Sequence, residues 1–469
     1  MRSTLLFVVL SVLFLSPGHT QQKNKTDKTI VIDESANAMT IESVIKIDKT
    51  WAGHPVGFCL LTHGNRQYIA YYNADRSMVV GQRDLADESF SLHVLPRTDR
   101  ETHGGTSTVL TWDSHNYLTL GIDSDGYIHM SGNMHVHPLT YFKSLKPHDI
   151  STLEQEMTMV GPNEQRSTYP KFMTSREGDL IFHYRDGSSG NGNEIYNIYS
   201  PETKKWSRLL EAPLTDGQGL MNAYQSQPKL MADGRYHVYW VWRDTPDCST
   251  NHDPSYMTSE DLKHWTNAWG ETVELPVTLE KKSVIVDPIP VKGGIINLAA
   301  KLCLDPGNRP LFAYHKYDNV GNLQFFVARL EGKKWHYKQV TKWDYRWEFS
   351  GNGSINSEVV ITDFQKRPDG YYEIGYRHIK YGIGTLLLDK NLDAVGKVLK
   401  PEPFEASLLP EGTFPGLMVQ TSHDIGTPEE PGVVYLLKWE TLNRNRDRPR
   451  PEPWPEPSQL YLYKLKMPR

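Results

Sequence analysis

The chain of 469 residues has room for two to four domains of ordinary size, or for one large all-β domain. Its 38% apolar and 23% charged residues, with only 3 Cys, exclude the disordered, collagen-like and disulfide-scaffold classes. A net charge of -5 argues against a nucleic-acid footprint, which needs a basic stripe, so a polyanionic ligand would have to meet a local cluster of Arg, Lys and His.

Residues 1–20 open with Met1 and Arg2, run through an apolar stretch from Leu5 to Leu15, and end in Ser16, Pro17, Gly18, His19 and Thr20. This is the outline of a secretory signal peptide. The apolar run is shorter than the roughly 20 residues a spanning helix needs, and none like it follows. The expectation is a protein secreted to an extracellular or periplasmic space, with no membrane span and a mature chain of 21–469. Cys59, Cys248 and Cys303 permit at most one disulfide in such a compartment, and buried unpaired thiols are the simpler reading.

Beyond residue 28 no long helical period occurs. Short β-branched and aromatic runs, such as 67–72 (QYIAYY), 179–184 (DLIFHY), 235–242 (RYHVYWVW), 310–314 (PLFAY), 371–376 (YYEIGY) and 433–439 (VVYLLKW), alternate with Gly, Asp, Asn and Pro clusters. That is the all-β signature. A unit recurs: a Gly turn, an aromatic strand, a charged turn, another strand and a Trp, ending at Trp206, Trp265 and Trp335. Taken through the chain, the units fall at 53–95, 108–150, 168–210, 225–273, 284–341, 354–400 and 416–465. About seven units point to a single-domain, seven-bladed β-propeller. A strand near 29–47 is expected to close the ring with the last unit, since an open ring leaves unpaired sheet edges.

The stretch Ser259-Glu260-Asp261-Leu262-Lys263-His264-Trp265 is similar to the Asp-box turn of sialidase-like propellers, with Lys263 where Gly is expected and the Trp one position early. Such a turn supports the fold and carries no chemistry. The Pro-rich, charged segment 444–457 reads as an extended loop before the final strand.

Chemistry-bearing residues are densest in 103–142, which hold five of the 18 His: His103, His115, His129, His135 and His137. The run Asp113-Ser114-His115-Asn116, then Asp125-Gly126-Tyr127-Ile128-His129 and Gly132-Asn133-Met134-His135-Val136, resembles the BNR-repeat proteins that include the ulvan lyases, polysaccharide lyase family 25 most of all. Ser167-Thr168-Tyr169-Pro170, Tyr184-Arg185-Asp186-Gly187, Asn222-Ala223-Tyr224 and Trp242-Arg243-Asp244 extend the likeness over most of the mature chain.

The resemblance implies a polysaccharide lyase that cuts ulvan, a sulfated rhamnose–uronic acid polymer, by β-elimination. That reaction needs a donor or cation to neutralise the uronate carboxylate, a base for the C5 proton and an acid for the departing O4. By the same resemblance, His115, Tyr169, Arg185 and His135 are catalytic. Tyr169 and His115 would share the proton transfers, Arg185 would hold the carboxylate, and His135 with Tyr224 would position the sugar. Arg243, Asn116 and Tyr184 complete the expected substrate contacts. Catalysis is expected to need no cofactor; members similar to this chain can hold a structural zinc, for which His252, Cys303 and His315 are the expected ligands. The expected partner is an anionic polysaccharide, with no nucleic acid and no membrane, and the expected state is a monomer.

Other readings stay open at this level. A sialidase-like glycoside hydrolase would share the fold, but the Arg-Ile-Pro expected near its N-terminus is absent. A non-catalytic glycan-binding propeller would keep the aromatic channel without needing His115, Tyr169 and Arg185 together.

Overall fold

A computed structural model describes residues 29–100, 105–297 and 299–468; the expected signal peptide and His103 lie outside them. Among the described residues, the apolar runs pair into seven sheets of four or five strands each, plus one further short strand beside the fourth. The first sheet begins with Cys59–His63, the second with Leu118–Ile122, the fifth with Lys301–Leu304 and the sixth with Val359–Lys366. The sheets follow one another along the chain over roughly the spans of the expected units, except that His135–His137, from the second unit, joins the third sheet.

The seventh sheet is completed by the N-terminal part of the chain. Thr40–Thr50 pairs antiparallel with Ser458–Lys466, so the two ends of the chain share one sheet and hide each other's edges. The expected closing strand is in fact two. Ile30–Asp33 leaves the seventh sheet and runs parallel to Ala394–Leu399 on the edge of the sixth.

Burial follows from the aromatic, β-branched composition. Both faces of an inner strand are covered by neighbouring sheets, so these strands read as continuous apolar runs rather than alternating ones. Gln67 to Tyr72 in the first sheet are all buried. The main seam joins Tyr68, Tyr72, Leu118, Met130, Val433 and Trp439 from three sheets into one cluster. In the same seam the Arg76 guanidinium lies 3.8 Å from the Trp51 ring centroid, 4.9 Å from that of Trp112 and 5.2 Å from that of Trp454, a desolvated cation–π arrangement. Trp454 belongs to the 444–457 segment, which is an extended loop as expected but is held against the body of the protein.

The Asp-box stretch is a structural turn. The Asp261 carboxylate accepts from the Lys263 and His264 amides at 2.9 and 2.8 Å, and Trp265 Nε1 donates to the Leu262 carbonyl. The left-handed backbone position falls on Leu262, with φ 64°, one residue before Lys263, in keeping with the early Trp. Cys59, Cys248 and Cys303 are free and buried. No helix of the described residues is long and apolar enough to cross a membrane.

Candidate active site

A cavity of about 480 Å³ opens where the third, fourth, fifth and sixth sheets approach the 114–117 segment; His115, Tyr117, Tyr169, Tyr224, Arg243 and His315 are among the residues that line it. It is built from three local irregularities, each of which turns a polar side chain toward a shared space.

The first is the turn at 113–116. Asp113 Oδ1 accepts from the His115 backbone amide at 2.9 Å, an Asx-type turn. The same oxygen lies 2.7 Å from His115 Nδ1, while Asp113 Oδ2 lies 2.5 Å from His135 Nδ1. A carboxylate only accepts, so both imidazoles present Nδ1–H to Asp113 and keep Nε2 for other work. Burial raises the Asp113 pKa, but the bonds from His115 and His135 outweigh it and hold the carboxyl well below its usual range. The two rings stand 4.3 Å apart.

The second is the short strand His135–His137, which pairs with the third sheet through Thr168 and Ser167. Val136 takes φ 61° here, a conformation that a β-branched residue pays for in steric strain.

The third is a bulge. The Ser167–Thr174 strand loses register with its partner between Thr168 and Lys171, and Tyr169 adopts φ 58°. A bulge re-aims one side chain, and here it sends the Tyr169 ring into the cavity. The ring stacks on Tyr117 at 6.4 Å, and lies 5.9 Å from His115, 6.4 Å from His135 and 6.2 Å from Tyr224. The His115, His135, Tyr169 and Tyr224 rings thus form one wall.

Two guanidinium groups support that wall. Arg185 has no exposed surface and sits 4.8 Å from the Tyr169 centroid and 5.8 Å from that of Tyr224. Its Nε donates to the Gly187 carbonyl, and its Nη1 and Nη2 have no hydrogen-bond partner. Arg243 donates from Nη1 to the Tyr224 hydroxyl at 2.9 Å, and Ser189 Oγ is 2.6 Å from the same oxygen. The two phenols are pushed apart as a result. Burial raises the Tyr169 pKa above the ordinary tyrosine value, more than Arg185 and Arg243 pull it down. Burial also raises that of Tyr224, but there the charges of Arg185 and Arg243 prevail and its pKa is lowered.

Lys171, His183 and Glu194 line the same cavity. Glu194 is directly opposite Arg185 in the strand register. Burial pushes its carboxyl up to about 7, against the opposing pull of Arg185 and Lys171. Burial, helped by Lys171, pushes His183 down to about 3, so that ring is neutral. The Glu194 shift has a sign that can be tested. Between about 4.5 and 7 the folded chain holds a proton that the unfolded chain has lost, so this group's contribution to stability falls as pH rises through that window. The total is about 3 kcal/mol. Glu194→Gln should therefore show a flatter melting temperature between pH 5 and 8 than the parent chain; equal slopes would place the Glu194 titration elsewhere.

Of the residues expected from sequence, His115, His135, Tyr169, Arg185, Tyr224 and Arg243 come together here. Two expected contacts do not. Tyr184 alternates with His183 and Arg185 along its strand, so it faces the opposite side; it is fully buried, beside Phe182, with its hydroxyl accepting from Arg208. Asn116 is 2% exposed and ties down the turn, donating to Thr111 Oγ1 while its carbonyl accepts from Tyr72.

The expected zinc ligands do not converge either. Cys303 faces Leu311 across the fifth sheet, and His315 stands four residues further along that strand, about 13 Å at the rise of a β-strand. His315 Nδ1 is engaged by the Gly294 carbonyl, and His252 lies between Asp244 and Asp253. The one trio of metal-type donors among the described residues is Asp113, His115 and His135, whose mutual hydrogen bonds account for its clustering.

Sequence reasoning assigned no role to Asp113, Lys171, His183, Glu194 or Asp447. Asp113 had a signal in its spacing, two residues before a His. The others had none, because their significance lies in contacts made between distant segments.

A profile described as a BNR repeat-containing family member matches residues 66–343. The short isoform of ulvan lyase from Alteromonas sp. (strain LOR) is 25% identical over 38% of this chain and 44% of its own length. The long isoform from Pseudoalteromonas sp. (strain PLSV) is 29% identical over 32% of this chain and 19% of its own. The chain thus spans less than half the length of these curated relatives. Among solved structures, polysaccharide lyase Uly1 superposes with a TM-score of 0.59 at 15% identity, covering 91% of this chain and 99% of that one. A family 25 ulvan lyase bound to -[GlcA(1-4)Rha3S]- superposes with a TM-score of 0.56 at 14% identity, covering 92% and 95%. At these identities the structural likeness is one of fold.

Proposed function

The chain belongs to the BNR repeat-containing family, and from that premise we propose that it is a polysaccharide lyase that cleaves ulvan by β-elimination at the uronic acid. The observation that carries the reading is the single wall formed by His115, Tyr169 and Tyr224 over two buried guanidinium groups. It supplies every part that the elimination requires, and the relatives named ulvan lyase point to the same substrate.

His115 is the base. Its Nδ1–H is held by Asp113, which fixes the tautomer, leaves Nε2 to accept the C5 proton, and stabilises the imidazolium that forms. Tyr169 is the acid: its raised pKa keeps the phenol protonated until O4 departs. Positive charge from Arg185 and Arg243 offsets the negative charge that builds on the uronate carboxylate as the C5 proton leaves. Arg185, buried beneath the two phenols, acts through its charge, and Arg243, which lines the cavity, is the guanidinium placed to meet the carboxylate. Tyr224, tied to Arg243 and Ser189, and His135, tied to Asp113, position the sugar.

Secretion through residues 1–20 and action as a monomer belong to the same proposal. The test is to mix the full chain with ulvan and follow ultraviolet absorbance. A lyase creates a conjugated unsaturated uronate and the absorbance rises. New reducing ends without that rise would mean a hydrolase, and binding without either product would mean a glycan-binding propeller; each overturns the reading.

A further inference from the structure

The 444–457 segment lies outside the family match and carries Asp447, far in sequence from the site. We propose that Asp447 is a positioning residue for His115, and that this C-terminal segment completes the active site. The proposal rests on the reading of His115 as the base.

The Asp447 carboxylate is only 12% exposed and gathers contacts from two other parts of the chain. Its Oδ1 accepts from the Ser114 backbone amide at 3.1 Å, from Ser114 Oγ at 2.7 Å and from Ser354 Oγ at 3.0 Å. Its Oδ2 accepts from the Ser354 amide at 2.9 Å and faces His115 Nδ1 at 3.4 Å. One side chain therefore joins the 113–116 turn to the loop that precedes the sixth sheet.

The backbone shows that this aim is imposed. Arg446 and Asp447 take φ values of 51° and 58°, two successive non-glycine residues in the left-handed region, where Cβ crowds the following carbonyl oxygen. Such a conformation persists only where surrounding contacts over-determine it. On one side the contacts are those of the carboxylate, together with Arg446 Nη1 donating to the Ser350 and Asn352 carbonyls. On the other, Trp454 anchors the segment against Trp51, Trp112 and Arg76, and Trp112 immediately precedes Asp113.

The chemical consequence is specific to His115. Asp113 divides its two oxygens between two imidazoles, so it alone cannot distinguish them. Asp447 adds a second carboxylate on the His115 side and, through its bonds to the adjoining Ser114, fixes the position of that ring, whose Nδ1–H tautomer Asp113 sets. The ring nitrogen assigned to proton abstraction is thereby held at the angle the cavity requires, and misplacement of a reacting group by about 1 Å can cost a hundredfold in rate.

The test compares the full chain with Asp447→Asn and, as a milder change, Ser354→Ala. Steady-state cleavage of ulvan should show kcat lowered about tenfold or more in Asp447→Asn, with KM changed less than about twofold, and a smaller fall of about threefold in Ser354→Ala. In parallel, ¹⁵N-histidine spectra, with the His115 signals assigned by His115→Gln, should show a single Nδ1–H tautomer in the parent chain and its loss or shift in Asp447→Asn, with His135 less affected. Unchanged His115 signals and unchanged kcat in folded Asp447→Asn would overturn the proposal, as would a lowered melting temperature with both unchanged. If Asp447→Asn fails to fold, Ser354→Ala decides by the same readouts. A parent chain that does not cut ulvan would defeat the lyase reading, while the histidine spectra would still decide whether Asp447 orients His115.

Discussion

His115→Ala should lower the rate of unsaturated-uronate formation from ulvan by a factor of about 10² to 10⁴, the range that a positioned acid–base group supplies. The fold should survive. His115 lies on a surface turn whose shape is set by Asp113, Ser114 and Asn116 through other bonds, and its side chain is 22% exposed, so its removal leaves no core cavity. Binding of the polymer should be largely retained, because Arg243, Tyr224 and Tyr169 remain. Product formation within threefold of the parent rate, in a protein with an unchanged melting temperature, would remove His115 from proton transfer. His135→Ala is the internal comparison: both rings share Asp113, and only the one assigned to the proton should show the larger effect.

Tyr169→Phe should cost about 10² or more in kcat and change KM little, because the ring, its stack on Tyr117 and the strained bulge all persist while the proton donor is lost. Tyr224→Phe should behave differently. It removes the oxygen that accepts from Arg243 and pairs with Ser189, leaving polar groups unpaired in a buried setting. Its effect should fall at least as much on KM as on kcat. The pH profile separates the two. If Tyr169 is the acid, activity in the parent chain depends on a phenol that stays protonated well above neutral pH. If Tyr224 were the proton-transfer group, its lowered pKa would bring the high-pH limb closer to neutrality. Equal losses of kcat in both variants, with no KM effect in either, would reverse the assignment.

The candidate site was legible chiefly through the resemblance of its motifs, and local sequence explains part of its geometry. A His two residues after an Asp forms the Asx turn that holds its own imidazole. Proline after Tyr169 restricts the backbone just where the strand bulges. Arg185 was put forward by the resemblance of its motif, Tyr184-Arg185-Asp186-Gly187, and by no local rule. Tyr184 was misread for a reason equally local: its neighbour faces the channel, so strand alternation requires Tyr184 to face away, and proximity in sequence was taken for proximity in space. His252, Cys303 and His315 were put forward as zinc ligands by residue type and resemblance, and in this structure they do not converge. Strand register, which places Cys303 opposite Leu311 and leaves His315 four residues beyond, was needed to see that they are too far apart.

The sequence by itself determined the all-β class, which follows from short-range periodicity and turn chemistry, and a recognisable run of motifs put forward the residues of the candidate wall. Only the tertiary structure decided that Arg185 lies beneath two phenols instead of facing solvent, that burial and charge displace Tyr169 and Tyr224 in opposite directions, and that Asp447 reaches His115. The physical reason is range. Turns and strands are set by interactions among residues a few positions apart, whereas a pKa or the aim of a carboxylate depends on which distant segments the packed sheets bring within a few ångströms.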